Sequence, residues 1–354
     1  MDTEAVVMSL LDWYALHQRP LPWRQEPTPY RVWISEIMLQ QTRIEAVIPY
    51  FRRFMDTLPT VSDLADVSQE RLYKLWEGLG YYSRARNLQK AARILMEQYD
   101  GELPADYDLL LTLPGIGPYT AGAIASIAYD IPVPAVDGNV MRVLARLTAD
   151  DTDVLSTGGK KRFTDLAWEL VPETKAGRFN QALMELGERV CVPNGAPHCD
   201  ECPLRRLCAA YATNRPAEFP VRVAKKARRI EHRVVAVVCV AGEDPRVLLH
   251  KRPDSGLLAG LWELPNCPAE ATEELLPFDT GSFTDLGACK HIFSHVEWHM
   301  NGRLYHLANL PPLSQAFRLV TLQELQNEYA LPTAFRYYAA QLPQLLTKEK
   351  KNYG

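Results

Sequence analysis

Four cysteines fall within residues 191–208, with seven, two and five residues between successive members. Four thiolates this close together on a loop can surround one [4Fe–4S] cluster or one zinc ion, and His198 could compete as a ligand. The chain has seven cysteines, and an odd number with one dense group argues against a disulfide framework. We therefore expect a metal or cluster site held by Cys191, Cys199, Cys202 and Cys208. The spacing alone leaves zinc and iron–sulfur open.

The size and charge of the chain limit the number of domains, the location and the partners that we expect. Its 354 residues suggest two or three domains of roughly 100–200 residues each. The longest apolar stretches are too short or too interrupted to span a bilayer. No basic flank with an apolar segment follows Met1, so we expect no signal peptide and a cytoplasmic location. The net charge of −4 does not decide for or against a polyanionic partner, and basic clusters such as Arg84 with Arg86 permit DNA binding.

The first part of the chain has a helical pattern throughout. Val6, Leu10 and Tyr14 recur at the three-to-four spacing of a buried helical face. The proline-rich stretch 20–29 ends this helix because proline cannot continue it. Further helices are predicted over residues 32–39, 63–77, 84–99, 107–113, 118–129, 139–147, 160–170 and 177–189. We expect residues 1–212 to form one all-α domain.

The composition changes after residue 212. Residues 213–232 are rich in proline, lysine and arginine, which is typical of an exposed linker. Beyond the linker the hydrophobic period becomes that of β-strands. Strands are predicted at 233–240, 246–251 and 261–264, and helices near 271–275, 322–328 and 334–346. We expect a second, α+β domain over residues 233–347.

Three histidines in the second domain raise a further metal alternative. His291, His295 and His299 would share one face if their segment were helical. The alternation of Val296 and Trp298 with polar residues favours a strand instead, which would separate the three imidazoles.

A glycine-containing turn joins two of the predicted helices at Leu113-Pro-Gly-Ile-Gly-Pro118. Gly115 and Gly117 allow positive φ and close backbone approach. Pro118 suits the first turn of the helix that follows. The amide groups left free at that turn can bind a phosphate through the helix N-terminus. The segment therefore predicts a phosphate-binding turn, although without its flanking helices it would be only a turn.

Two acidic residues are candidates for proton transfer and charge stabilisation. Glu36 lies among apolar neighbours in Trp33-Ile-Ser-Glu-Ile-Met-Leu39. If it is buried, its pKa rises and it becomes a proton donor near neutral pH; the alternative is a glutamate on the solvent side of its helix. Asp137 precedes a predicted helix and could serve simply as its N-cap. Two carboxyl groups in different environments suit the cleavage of a glycosidic bond.

These motifs resemble, over nearly the whole chain, those of the endonuclease III and MutY family of DNA glycosylases. The cysteine loop resembles the family's [4Fe–4S] loop, with seven residues between the first two cysteines where six are usual. The turn after Leu113 resembles its helix–hairpin–helix, over about 107–129, and Val136-Asp-Gly-Asn-Val140 resembles its aspartate segment. The resemblance implies a bacterial, monomeric enzyme that removes adenine mispaired with 8-oxoguanine or guanine from double-stranded DNA.

The resemblance also assigns roles. The glutamate that matches Glu36 protonates adenine and then helps to activate water. The aspartate that matches Asp137 stabilises the sugar cation through a transient covalent adduct. Tyr119 stands where bifunctional relatives carry a lysine, and tyrosine cannot form their Schiff base. A monofunctional enzyme is implied, with Tyr119 and Asn139 supporting the site.

Two loops and the second domain resemble the parts of this family that read the lesion. An enzyme that acts on a stacked base must extrude it and fill the gap, and Gln41 and Tyr81 are suitable wedges. The second domain resembles a Nudix (MutT)-like domain without the glutamate-rich metal helix, so we expect recognition rather than hydrolysis. The alternatives of a capping amide and a core aromatic stay open for Gln40 and Tyr82. The DNA and lesion contacts implied are Arg24, Leu39, Gln41, Thr42, Tyr81, Gly115, Gly117, Gln181, Phe293, Ser294 and His295.

Two other functions compete with adenine removal. One is an endonuclease III-like lyase that acts on oxidised pyrimidines, against which Tyr119 and the second domain count. The other is a non-catalytic DNA-binding protein that uses the cluster as a structural or redox element. The presence of both Glu36 and Asp137 argues against it.

Overall fold

The computed structural model describes residues 2–223, 227–278, 281–309 and 311–353. The chain forms two compact units. The helical unit comprises Met1–Asp66 and Asn87–Lys225, and the sheet unit comprises Val67–Arg86 and Lys226–Gly354. This division differs from the expected one, because residues 67–86 group with the sheet. The first strand begins at Arg229, inside the predicted linker. Residues 224–226 of that linker lie outside the described residues.

The first 212 residues contain helices and short 3-10 turns in the described part of the chain. Several helices begin where a side chain accepts a backbone N–H bond at the N-cap, as Thr28 and Ser156 do. The helices are α1 (Thr3–His17), α2 (Pro22–Gln25), α3 (Pro29–Leu39), α4 (Ile44–Thr57), α5 (Val61–Asp66), α6 (Gln69–Trp76), α7 (Ser83–Gln98), α8 (Tyr107–Leu111), α9 (Pro118–Tyr129), α10 (Gly138–Thr148), α11 (Thr157–Leu170), α12 (Ala176–Arg189) and α13 (Ala209–Ala212). Helix α6 belongs to the sheet unit, and so does the first turn of α7.

Helix α4 lies in a stretch where no helix is predicted. Pro49 lies inside it, and because proline removes a helical hydrogen bond, the sequence does not predict a helix here. Val47, Phe51 and Phe54 are nevertheless buried on one face of α4, and tertiary packing of such a face stabilises a helix more than propensity does. The single helix predicted over 63–77 is two helices, because Ser68 caps the start of α6.

The core of the helical unit positions the functional site. Helices α1, α10, α11 and α12 enclose one apolar cluster that includes Leu10, Leu144, Phe163 and Phe179. Helix α3 packs on α9, and α9 packs on α12. These contacts bring α3, α9 and α12, which are far apart in the sequence, to one region of the unit.

The sheet unit is built on a mixed sheet. The strands are β1 (Arg229–Val240), β2 (Arg246–Lys251), β3 (Trp262–Glu263), β4 (Asn266–Pro268), β5 (Thr284–Ile292), β6 (Val296–Leu307) and β7 (Phe317–Thr321). Their main order in the sheet is β3-β2-β1-β6-β5, with β4 also paired to β1 and β7 to β2. Strands β1 and β6 are parallel, and the other pairs are antiparallel. The helices that follow are α14 (Leu322–Asn327), α15 (Arg336–Ala339) and α16 (Leu342–Tyr353).

The middle of β1 is apolar on both faces. Val235 and Val237 pack into a cluster with side chains of α14 and α16, whereas Val234 and Ala236 pack into a second cluster on the other face. Successive side chains of a strand point to opposite faces, so a continuous apolar run fits a strand covered on both sides. The strand predicted for the stretch after Val296 is confirmed as β6.

Candidate active site

A pocket of about 630 Å³ opens in the helical unit. Helix α3 and the first turns of α9 and α10 contribute to its walls, together with α12. Glu36 and Asp137 both line it. So do most of the other residues that the sequence places in the glycosylase site, namely Arg24, Leu39, Gln41, Thr42, Gly117, Tyr119, Asn139 and Gln181.

Glu36 lies on α3 and is only 6% exposed. Burial raises the pKa of Glu36 from its ordinary value of 4.5 to about 7. The hydroxyl of Tyr119 donates to Oε2 at 2.5 Å and opposes this rise, whereas the charge of Asp137 adds to it. Glu36 is therefore largely protonated below its pKa of about 7 and can donate a proton near neutral pH. The alternative of a solvent-facing glutamate is wrong.

Asp137 is the N-cap of α10 and also faces the pocket. Its Oδ1 accepts the backbone N–H of Val140 at 2.8 Å, and its Oδ2 accepts the side-chain amide of Asn139 at 2.8 Å. Burial raises the pKa of Asp137, and these hydrogen bonds oppose the rise. One oxygen of the carboxylate thus caps the helix while the group remains part of the pocket wall, so the two expected roles are compatible.

Arg142 joins Asn139 to the cysteine loop. Its guanidinium donates to Oδ1 of Asn139 at 2.7 Å and to the carbonyls of Gly187 at 2.6 Å and Cys191 at 2.8 Å. A chain of hydrogen bonds therefore runs from Asp137 to the loop. Sequence reasoning missed Arg142, although residues three apart on a helix share a face and this spacing from Asn139 could have pointed to it.

A buried ion-pair network holds Arg24 at the pocket. The side chain of Glu185 is fully buried and accepts from Arg24 at 2.8 Å and from Arg19 at 2.5 Å. Burial alone would raise the pKa of Glu185, but the hydrogen bonds and charges of the two arginines outweigh it and lower the pKa. Glu185 stays charged and fixes the Arg24 guanidinium. Arg19 and Glu185 belong to no motif, which is why sequence reasoning missed them.

The turn between α8 and α9 leaves backbone amide groups free at the start of α9. Gly115 has a φ of +80°, and a Cβ there would lie 2.7 Å from Cβ of Asn87, so only glycine fits. Gly117 caps α9 with open space beside its Cα, and Pro118 occupies the first helical position. Ile116 is buried beneath the turn. The first amides of α9 lack intrahelical partners and can bind an anion.

The segment after α3 continues the pocket wall. Gln41 has a φ of +59° and is exposed, and the N–H of Thr42 donates to the carbonyl of Leu39 at 3.1 Å. Nε2 of Gln40 donates to Oγ1 of Thr120 at 3.3 Å, as the alternative of a structural amide expects for Gln40. Gln41 is thus an exposed side chain of this segment that is available to a ligand, and Leu39 and Thr42 line the pocket beside it.

The four cysteines of the loop are free thiols that influence one another electrostatically. Burial, and to a smaller extent the charges of the other three cysteines, raises the pKa of Cys202 to about 12. Nη1 of Arg146 donates to Sγ of Cys191 at 3.2 Å. Backbone N–H groups face Cys202 and Cys208. Hydrogen bonds from N–H groups and an arginine are what four thiolates need around them.

Four thiolates can hold a [4Fe–4S] cluster or a zinc ion. Four half-buried thiols become thiolates most readily when a strongly positive group joins them. Within the described residues, no three His, Cys, Asp or Glu side chains are grouped so as to hold a metal ion.

Another pocket, of about 510 Å³, lies in the sheet unit. Phe293, Ser294 and His295, which are predicted to contact the oxidised guanine, line it together with Tyr81, which is predicted to be a wedge. The hydroxyl of Tyr81 lies 2.9 Å from Oγ of Ser294, and the backbone of Tyr81 has a φ of +48°. Tyr82 is buried, as the alternative of a core aromatic expects.

Comparison with known proteins identifies the class. Residues 34–173 match the HhH-GPD superfamily of base excision DNA repair proteins, and residues 235–341 match the NUDIX domain. A thermostable thymine-DNA glycosylase is 28% identical over 60% of this chain and 97% of its own, with a TM-score of 0.55. Endonuclease III in a non-covalent DNA complex is 26% identical over 60% of this chain and 98% of its own, with a TM-score of 0.50. The chain is thus a helix–hairpin–helix DNA glycosylase with a Nudix-like domain, and the expected multidomain fold is confirmed.

Relatives with higher sequence identity identify the family within this class. The adenine DNA glycosylase of Mus musculus is 38% identical over 95% of this chain and 78% of its own length. That of Homo sapiens is 36% identical over 95% of this chain and 74% of its own length. That of Buchnera aphidicola subsp. Acyrthosiphon pisum is 32% identical over 87% of this chain and 88% of its own length. The chain belongs to the adenine DNA glycosylase family. It is a hydrolase of base excision repair.

Among the described residues, none of the helices combines the length and the apolar character that a membrane span requires.

Proposed function

We propose that this enzyme removes adenine that is mispaired with 8-oxoguanine or guanine in double-stranded DNA. One observation carries the proposal: Glu36, with a pKa of about 7, and Asp137 line the same pocket. The names of the curated relatives support adenine as the base. The proposal includes action as a monomer in a bacterial cytoplasm, as the sequence resemblance implies.

The proposed reaction uses the two carboxyl groups on opposite ends of one bond. The adenine nucleotide leaves the stack and enters the pocket. Glu36 gives its proton to a ring nitrogen of adenine, and the electron pair of the N-glycosidic bond leaves with the base. Asp137 stabilises the positive charge on the sugar and forms a transient ester at C1′. Glu36, now a carboxylate, takes a proton from the water that replaces Asp137.

Tyr119 supports a monofunctional reaction. A lyase that cuts the backbone needs an amine for a Schiff base, and the phenol of Tyr119 cannot supply one. Its hydroxyl instead donates to Glu36 at 2.5 Å. We assign Tyr119 to hold the glutamate in place, and Asn139, which donates to Asp137 at 2.8 Å, to hold the aspartate.

The remaining expected contacts divide between the two units. In the helical unit, the turn with Gly115 and Gly117 grips phosphate, and Gln41 fills the gap left by the extruded base, beside Leu39 and Thr42. In the sheet unit, the pocket with Tyr81 and Ser294 receives the oxidised guanine, together with Phe293 and His295. Recognition of the orphaned partner base distinguishes an A:8-oxoguanine pair from an ordinary pair.

We further propose that the four cysteines hold a [4Fe–4S] cluster, whose chemistry when bound is to crosslink the loop rather than to act on the glycosidic bond. The loop also carries Arg206, which is exposed, and Arg205, which pairs with Asp200 at 2.8 Å. Cationic side chains on a fixed loop suit a phosphate backbone.

The cluster assignment predicts the metal content of the purified protein. We expect about four iron atoms per chain in the protein as isolated. Cys202→Ser should lose most of the iron and weaken DNA binding, because the loop loses its crosslink. Cys239→Ser removes a buried thiol of the sheet unit and should keep the iron. Metal analysis of the three proteins checks this, and a colourless protein loaded with zinc would contradict the assignment.

One assay tests the proposed function against its competitors. The protein is incubated with duplexes that hold adenine opposite 8-oxoguanine, adenine opposite guanine, or thymine glycol opposite adenine. We expect release of adenine from the first two, with strand scission only after alkali. Spontaneous nicking at thymine glycol would point to a lyase, and binding without product would point to a non-catalytic role.

A further inference from the structure

We propose that Asn180 is a positioning residue that sets the place of Asp137 in the pocket by holding the chain segment immediately before it. The inference rests on the proposed function, in which Asp137 faces the sugar of the extruded nucleotide. Asn180 lies on α12, is only 1% exposed and is not part of the pocket lining. Its contacts therefore act on the reaction through other residues.

The segment 132–136 joins α9 to α10 and leads directly into Asp137. Two of its residues are prolines, which have no N–H to donate. The N–H of Val133 donates to the carbonyl of Ile131 at 2.8 Å, within the same loop. Among the described residues, the hydrogen bonds from this segment to a neighbouring helix are the two that it makes with Asn180. This one side chain thus supplies all the hydrogen bonds that anchor the segment to the helical core.

The amide of Asn180 takes the place of a neighbouring strand. Its Nδ2 donates to the carbonyl of Val133 at 2.9 Å, and its Oδ1 accepts the N–H of Ala135 at 3.1 Å. A carbonyl and the N–H two residues further on are the groups with which an extended chain binds a parallel strand beside it. Val133 and Ala135 are both buried, so these groups need partners other than bulk water. Asn180 supplies both partners at once.

Three neighbouring groups fix the orientation of this amide. The Val133 carbonyl can only accept and the Ala135 N–H can only donate, so turning the amide over would leave both without a bond. The remaining N–H of the amide donates to Oγ of Ser126 at 2.8 Å, and that hydroxyl uses its own proton on the carbonyl of Gly122 at 2.7 Å. Every polar atom of the Asn180 side chain thus has a partner, and its hold on the segment is preorganised.

Two glycines let the backbones meet at this place. A Cβ at Gly122 would lie 2.1 Å from the carbonyl oxygen of Pro134, and a Cβ at Gly177 would lie 2.4 Å from that of Ser126. The absence of both side chains allows α9 to contact the segment on one side and α12 on the other. The chain continues from this segment into Asp137, so a displaced segment carries Asp137 with it.

Asp137 is held from two sides. Its N-cap bonds fix the carboxylate relative to α10. Asn180 fixes the chain before it relative to α9, whose Tyr119 binds Glu36. Loss of the Asn180 amide would therefore change the place of Asp137 relative to Glu36, and a misplacement of about 1 Å can lower a rate by a factor of about 100.

The test compares two variants that each remove one buried polar side chain from this contact. Asn180→Leu keeps the branched shape of the side chain but loses both bonds to the segment, so the Val133 carbonyl and the Ala135 N–H must move to find partners. Ser126→Ala is the matched control, because it removes one bond to the amide and leaves both bonds to the segment. Rate constants are measured in single turnovers with the protein in excess over an A:8-oxoguanine duplex, so they do not depend on the folded fraction.

We expect the rate constant to fall by a factor of about 10–100 in Asn180→Leu and to change little in Ser126→Ala. The pH above which the rate falls should also be lower in Asn180→Leu, because the charge of Asp137 raises the pKa of Glu36 and a displaced carboxylate does so less. A merely structural loss would lower the rate by the same factor at every pH. A normal rate in Asn180→Leu, or an equal fall in both variants, would overturn the inference.

A double variant separates an effect through Asp137 from any other effect. If Asn180 acts by placing Asp137, then Asn180→Leu should cost little further rate once Asp137→Asn has removed the carboxylate. Losses that add in full would contradict the inference. Asn180→Ala is measured in the same way, and its smaller side chain keeps the test decisive should Asn180→Leu not fold.

The outcomes separate this inference from the proposed function. If the unaltered protein releases no adenine, or if Asp137→Asn releases it normally, the proposed function fails and this inference with it. Adenine release that depends on Asp137 but stays normal in Asn180→Leu and Asn180→Ala sinks the inference alone.

Discussion

Glu36→Gln should lower the rate of adenine release by a factor of about 10²–10⁴, the usual contribution of a general acid, while the duplex still binds. Glutamine keeps the shape of the side chain and can still accept a bond from Tyr119. It cannot give a proton to the base. The measurement is single-turnover release from an A:8-oxoguanine duplex, with Glu97→Gln, an exposed site on α7, as the control. Near-normal release by Glu36→Gln would remove Glu36 from the mechanism.

The same residue sets an expected pH dependence. The acid form of Glu36 is the proton donor, so the single-turnover rate should be highest below its pKa of about 7 and fall about tenfold for each pH unit above it. Glu36 lies in the folded protein with a pKa above its ordinary 4.5, so it favours folding below pH 4.5, and that contribution is lost as the pH rises through 7. Glu36→Gln should therefore raise the free energy of unfolding at about pH 8 by about 3 kcal/mol. A slower and yet more stable variant cannot owe its defect to misfolding.

Asp137→Asn should lower adenine release by a factor of about 10²–10³, as removal of one preorganised group that stabilises transition-state charge does. Asparagine is as good an N-cap as aspartate, so α10 should keep its start. The charge of Asp137 raises the pKa of Glu36, so the pH profile of any residual activity should shift to lower pH.

The control for this variant is Asp106→Asn, which makes the same exchange at the N-cap of α8, outside the pocket. It should leave both the release rate and the pH profile unchanged. If Asp137→Asn released adenine at the normal rate with normal stability, Asp137 would be a helix cap and nothing more.

The residues that the sequence could supply are those in local motifs. Glu36 stands in an apolar helix, Asp137 stands before a helix, and the cysteines are dense enough to mark a site by their spacing. Their types and neighbours therefore predict chemistry. The convergence of Glu36 and Asp137 on one pocket does not follow from any local pattern, because it depends on α3 packing against α9 and α9 against α12.

Residues that act through tertiary contacts stayed hidden. Arg142 and Glu185 serve the pocket by holding other side chains, and no spacing along the chain separates such a residue from an ordinary core or surface position. The same reason explains the placement of residues 67–86. Nζ of Lys74 donates to the carbonyl of Leu325 at 3.0 Å. Long-range contacts of this kind group the segment that contains Tyr81 with the sheet unit.

The most direct test of the account is a crystal structure of Glu36→Gln bound to a duplex with adenine opposite 8-oxoguanine. We expect the adenine outside the helix and in the pocket of the helical unit, with the residue-36 amide within hydrogen-bonding distance of a ring nitrogen. The carboxylate of Asp137 should face C1′ of the same nucleotide. An extruded adenine that lies elsewhere, or that meets only one of these two side chains, would contradict the account.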